Sequence, residues 1–185
     1  LTKARTNADN VTADIAGITA STGLTGGGTS GTVTLAIDTG TTVDLATAQN
    51  LSNKVLIAPE ERTTVSTSAA TATTNFDADT QGVLYLTGSN TSNWTLNVRG
   101  SSSTTLDTKL AVGDSLSIIF IATNGATAYY QTALTIDGNA QTVNYSGGTA
   151  PAAGNASSKD AYSFTIFKTA SATFTVFGAG PVKYA

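Results

Sequence analysis

The chain has no cysteine, no histidine and no methionine, and only 11% of its 185 residues are charged. Each absence removes a class of chemistry. Without cysteine there is no disulfide framework, no thiolate nucleophile and no thiolate metal site. Without histidine, the commonest general base near neutral pH and the commonest metal ligand are both missing. A net charge of −3, a pI near 4.6 and no cluster of Lys or Arg leave little to neutralise phosphates, so nucleic acid is not an expected partner. No apolar run approaches the roughly 20 residues that span a bilayer, and Leu1-Thr2-Lys3-Ala4-Arg5 lacks the apolar core of a signal peptide, so no membrane insertion is expected. The missing methionine, position 1 included, is expected of a processed chain or of the C-terminal part of a longer protein.

What is present is polar but mostly uncharged. Thr is the commonest residue, 40% of positions are hydrophobic, and mean hydropathy is +0.05, too high for a chain kept unfolded by charge. The composition predicts a β-rich fold with Thr, Ser and Asn at its surface. Residues 1–59 and 60–185 differ. The first part has almost no aromatic residue, and its sparse apolar positions are too few to close a monomeric core, so partner chains are expected to supply the other walls. Residues 43–54 have the pattern of a short helix with Thr42 as N-cap. Pro59 ends the segment, and Glu60-Glu61-Arg62 opens the second part.

From Thr63 onward, short runs rich in β-branched and aromatic residues alternate with turn signals. The expected strands are 83–87, 94–99, 115–122, 128–136, 141–145, 162–168 and 173–177. Asn124-Gly125 and Asp137-Gly138 tolerate positive φ in tight hairpins, which predicts a three-strand meander over 115–145 and a last hairpin over 161–177. The fold class that follows is mainly β, an antiparallel β-sandwich or jelly-roll-like module over 60–185 preceded by an extended segment over 1–59. In 115–122, Leu116, Ile118 and Phe120 point one way and Ile119 and Ile121 the other. A strand apolar on both faces needs a second cover, so Ile119 and Ile121 are candidate subunit contacts. Val33, Leu35 and Ile37 alternate with polar residues in the same manner and are candidates for the same role.

The glycine cluster in GLTGGGTSGTVTLAID (23–38) satisfies the dinucleotide spacing at Gly26, Gly28 and Gly31. The motif needs a strand before it and a helix after it, and here a strand pattern follows instead; no Lys follows to make a phosphate loop. The run resembles the Gly/Thr repeats of bacteriophage tail fibres and other virion appendages. LSNKVLIAP (51–59) looks like a "LTNKTLTSP" segment that recurs in phage structural proteins. The stretches VLYLT (83–87), WTLNVRG (94–100), TNGATAYY (123–130) and GGTAP (147–151) look like a C-terminal module of marine phage structural proteins. The resemblance implies a structural protein on the virion surface, a homotrimeric fibre that helps attach the particle to its host. Its implied partners are further copies of itself, other virion proteins and host surface polysaccharide. A capsid-decorating or head-fibre protein and a stand-alone carbohydrate-binding β-module are the alternatives.

Among residues with chemistry, Asp77-Ala78-Asp79-Thr80-Gln81-Gly82 has the opening of a calcium loop, but Gly88 stands where the bidentate Glu belongs, and a solvated turn is favoured. Neither Asp77 with Asp79 nor Glu60 with Glu61 has the two-element separation of a glycosidase pair, so an enzyme is not expected and no cofactor is implied. Trp94, Tyr129 and Tyr130 are candidate receptor-contact aromatics, although for any one of them a place in the core is favoured. The N-x-S/T sequons at Asn10, Asn50, Asn90, Asn93, Asn144 and Asn155 are what chance gives in a chain rich in Asn, Ser and Thr.

Overall fold

The computed structural model describes residues 17–29, 32–38, 40, 42, 55 and 57–185. The chain divides into two units, Leu1–Ile57 and Ala58–Ala185; the break expected from composition falls after Pro59. The helix expected over 43–54 lies outside the described residues, as does Gly31.

In the first unit, β1 (Ile18–Thr19), β2 (Leu24–Gly28) and β3 (Leu35–Ile37) form one antiparallel sheet in chain order. The glycines are needed because neighbouring backbone comes close. A Cβ on Gly26 would strike the Thr34 carbonyl oxygen, and one on Gly27 would come within 2.5 Å of Ile18 O. Gly26–Gly28 therefore lie within a strand, where the dinucleotide motif would need a turn into a helix. Leu24, Leu35 and Ile37 are 45%, 44% and 63% exposed, and Val33 is half-buried just ahead of β3.

The second unit holds β4 (Thr63–Ser66), β5 (Thr73–Asp77), β6 (Val83–Asn90), β7 (Trp94–Arg99), the four-residue helix α1 (Leu106–Lys109) and β8 (Ser115–Asn124). Then follow β9 (Gln131–Ile136), β10 (Asn139–Ala140), β11 (Val143–Tyr145), β12 (Ser158–Ala170) and β13 (Thr173–Tyr184). Two sheets result, one of four strands in the order β10-β9-β7-β5 and one of six in the order β11-β13-β12-β8-β6-β4. From β4 to β9 the chain changes sheet at every connection. Two strands that are neighbours in one sheet are thus separated by a trip through the other, so they run in the same direction. The pairs β4–β6, β6–β8, β5–β7 and β7–β9 are parallel, as is β11–β13.

This corrects the antiparallel sandwich or jelly roll read from the turn signals. Antiparallel pairing in this unit is confined to β8–β12, β12–β13 and β9–β10. The meander expected over 115–145 does not form. Asp137 and Gly138 do make a tight hairpin between β9 and β10, with φ of 51° and 82°. Asn124-Gly125 instead carries the chain from the six-stranded to the four-stranded sheet, and neither residue has a positive φ. The last hairpin is present as β12–β13 and is longer than its apolar runs suggest.

One core lies between the sheets. Strand alternation delivers Phe76, Trp94, Leu96, Val98, Leu134 and Ile136 from the four-stranded sheet, and Leu84, Leu86, Ile118, Phe120, Tyr162, Phe164, Ile166 and Val176 from the other. Trp94 meets Phe120 and Tyr162 across the layers, with ring centroids 6.0 Å apart in each pair, so a single indole bridges both sheets.

Candidate interaction surface

Since inner residues alternate with outer ones, the core assignment fixes what each sheet shows outward. On the six-stranded sheet the outward positions include an apolar row, bordered by hydroxyls at Ser117, Ser163 and Thr165 and by Lys159. Cross-strand register aligns Val65 with Tyr85, Tyr85 with Ile121, Ile121 with Ala161 and Ala161 with Val182, one unbroken row over β4, β6, β8, β12 and β13. Beside it, Val83 pairs with Ile119. Further along, Phe167 and Phe177 stack edge to face at 5.9 Å, both exposed. Val65 is 63% exposed, Ile119 42% and Val182 51%. An exposed apolar row of this kind is a candidate contact surface.

The sequence reading placed Ile119 and Ile121 on the outer side of their strand, and that is where both lie, next to Val83 and Tyr85. The candidates Val33, Leu35 and Ile37 belong to the other unit and share no element with them. Among the receptor-contact candidates, Trp94 must be corrected. It is 1% exposed at the centre of the core and cannot touch a receptor. Tyr129 and Tyr130 precede β9 outside any strand, and both are half-buried. Tyr129 packs against the core, while the Tyr130 N–H donates to Asn93 Oδ1 at 3.0 Å.

The outward face of the four-stranded sheet is polar. Asn97 Nδ2 donates to Asn75 Oδ1 at 2.8 Å, and Asn97 Oδ1 accepts from Thr135 Oγ1 at 2.8 Å and from the Gly138 N–H at 2.9 Å. Arg99 Nε lies 2.6 Å from Asp77 Oδ1 on the adjacent strand, and this hydrogen-bonded partner raises the guanidinium pKa further. Asp79 pairs with Lys109 of α1 at 2.6 Å. The two aspartates of the calcium-like run are thus engaged by cations on separate elements and do not converge on a common point.

Below this face, Asp137 accepts from the Leu106 and Asp107 N–H groups at 2.7 and 3.1 Å, holding α1 against the end of β9. Asn97, Arg99, the Ser101–Thr105 loop, Asp137 and Gly138 line an open surface cavity of about 390 Å³. Sequence reading missed this site because Ser101-Ser102-Ser103 reads as plain loop; the available signal was polar residues at alternate positions near the ends of β5 and β7.

Two more charged groups are structural. The buried Lys168 Nζ lies 2.7 Å from Asp107 Oδ1 and donates to the Leu110 carbonyl at 3.0 Å. The hydrogen bond from Lys168, then that from the Ala172 N–H, holds the Asp107 carboxyl below the ordinary carboxylate range. Asp160, fully buried, accepts from the Asn155 N–H and Nδ2 at 2.9 Å and from Asn124 Nδ2 at 3.1 Å.

Among the described residues no cluster of acidic side chains could hold a metal ion. Comparison with known protein families, with curated proteins and with solved structures finds no match to the chain.

Proposed function

We propose that this chain is a structural subunit of an assembled particle, a virion appendage of bacteriophage tail-fibre or head-fibre type, working as a homotrimer that contributes to host attachment. The apolar row Val65–Tyr85–Ile121–Ala161–Val182 carries the reading, because burying it against further copies takes its exposed apolar side chains out of water. The phage assignment adds the resemblance of 23–38, 51–59 and the later segments. A protein built this way acts by many weak contacts multiplied across identical subunits, without turnover.

The test is sedimentation of the full chain beside Ile119→Asp/Ile121→Asp. The unchanged chain is expected as a trimer, and the double variant as a folded monomer or a misassembled species, since two buried unpaired carboxylates cost several kcal/mol. A sharp monomer peak for the unchanged chain at micromolar concentration refutes the proposal. Equal trimer content in the double variant leaves the trimer standing but removes this sheet face from its interface.

A further inference from the structure

We infer that the cavity on the polar sheet face is a binding site for a neutral saccharide. Its lining brings Asn97 and Arg99 from β7, the Ser101–Thr105 loop, and Asp137 with Gly138 from the β9–β10 turn around about 390 Å³, within the size range of small-ligand sites.

The chemistry of the lining selects the ligand. No aliphatic or aromatic residue lines the cavity, so a lipid or a flat aromatic compound finds no large hydrophobic side chain to pack against. A phosphate or sulfate wants uncompensated cations. The single guanidinium here is already bonded to Asp77, with Nε at 2.6 Å and Nη2 at 3.5 Å, and the Asp137 carboxylate adds negative charge. A metal ion is equally ill served, because both Asp137 oxygens accept backbone N–H groups. What remains is a ligand that is uncharged and that both donates and accepts at many points. Serine and threonine hydroxyls do both, as do the hydroxyls of a sugar.

The site is also held before any ligand arrives. Asn97 has three protein partners, Asp137 is fixed by two N–H groups of α1, and the Ser101 N–H donates to Thr104 O at 2.8 Å to close the loop. Pre-organisation of this kind lowers the ordering cost of binding. With no aromatic ring in the lining, each site is weak, on the order of a millimolar Kd. The inference deepens the attachment reading and rests on it for valency only. If copies meet through their six-stranded sheets, the four-stranded sheets face outward and each subunit displays one cavity.

The experiment uses the full chain, labelled with ¹⁵N and titrated with gluco-, manno- and galacto-trisaccharides and, separately, with inorganic phosphate. Expected are amide shifts confined to Ser101–Thr105 and Gly138 with at least one trisaccharide, none with phosphate, and loss of those shifts in Ser103→Phe and Ser102→Tyr, which fill the cavity from exposed positions. An unchanged spectrum elsewhere verifies that the variants are folded. No shifts with any trisaccharide, shifts centred on Tyr129 and Tyr130, or an equal response to phosphate would overturn the inference. Sedimentation of the same samples reports the assembly separately, so failure of the site and failure of the trimer are distinguishable.

Discussion

Asn124 does work that its neighbour Gly125 disguises in the sequence. Its Nδ2 donates to Tyr129 O, Asn155 O and Asp160 Oδ2 at 2.8, 3.1 and 3.1 Å, and its Oδ1 accepts from Asn90 Nδ2 at 3.0 Å. The amide thereby ties β6, β8 and β12 to the loop at Asn155. Asn124→Asp keeps the shape but sets a second carboxylate against the buried Asp160, so a loss on the order of 3 kcal/mol is expected in denaturant unfolding at pH 7. The deficit should shrink in acid, where the introduced carboxylate can take up a proton; the same deficit at pH 7 and pH 4 would show that lost hydrogen bonds, rather than repulsion, are responsible. Asp107 gives a second pH test. Its pKa is depressed in the folded state, so its contribution is complete above the ordinary carboxylate range and is lost as pH falls through the lower, folded value. Asp107→Asn should remove that part of the acid dependence of stability, and an unaltered acid limb would contradict the role given to Lys168.

At the level of elements, β6 has a register shift between Leu86 and Ser89, and Gly88 sits inside it. A Cβ there would lie 2.6 Å from Thr67 O and 2.7 Å from Ala69 N, backbone atoms that cannot swing away. Gly88→Ala should therefore cost about 1–3 kcal/mol in the same unfolding measurement. Gly125→Ala should stay within about 0.5 kcal/mol, because Gly125 has an ordinary φ and its added Cβ meets only Ser89 at 3.7 Å. A reversed order would mean that the turn reading of Asn124-Gly125 was right after all. Strand identity was legible where alternation is strong: β7 matches its expected span, and the opposed faces of Ile118 and Ile119 are as the sequence reads. Thr63–Ser66 and Thr73–Asp77 were missed because Thr, Ala and Asn give little periodic contrast. Partner strands were not legible, since periodicity gives a residue its face but says nothing of which strand lies beside it.

Across the whole second unit, one outer face carries an apolar row and the other is a ladder of amides, hydroxyls and one ion pair. The apolar half of that division was readable from Ile119 and Ile121. The polar half was not, because Asn75, Asn97 and Thr135 are far apart in sequence and meet only through parallel pairing. If the apolar face is the one covered, hydrogen exchange of the assembled chain should protect β6 and β8 beyond what the Ile119→Asp/Ile121→Asp variant gives, and leave β5 and β7 unchanged. The strand directions carry one more consequence. β4, β6 and β8 are mutually parallel, β12 runs against β8, and β13 runs against β12, so the first and last strands of the six-stranded sheet in chain order point the same way. Tension applied between Thr63 and Tyr184 then acts along the strand axes and loads each ladder in shear, many bonds at once, where pulling across an edge would peel them singly. A pulling experiment through those two positions should therefore record one high-force rupture rather than a low, stepwise unzipping.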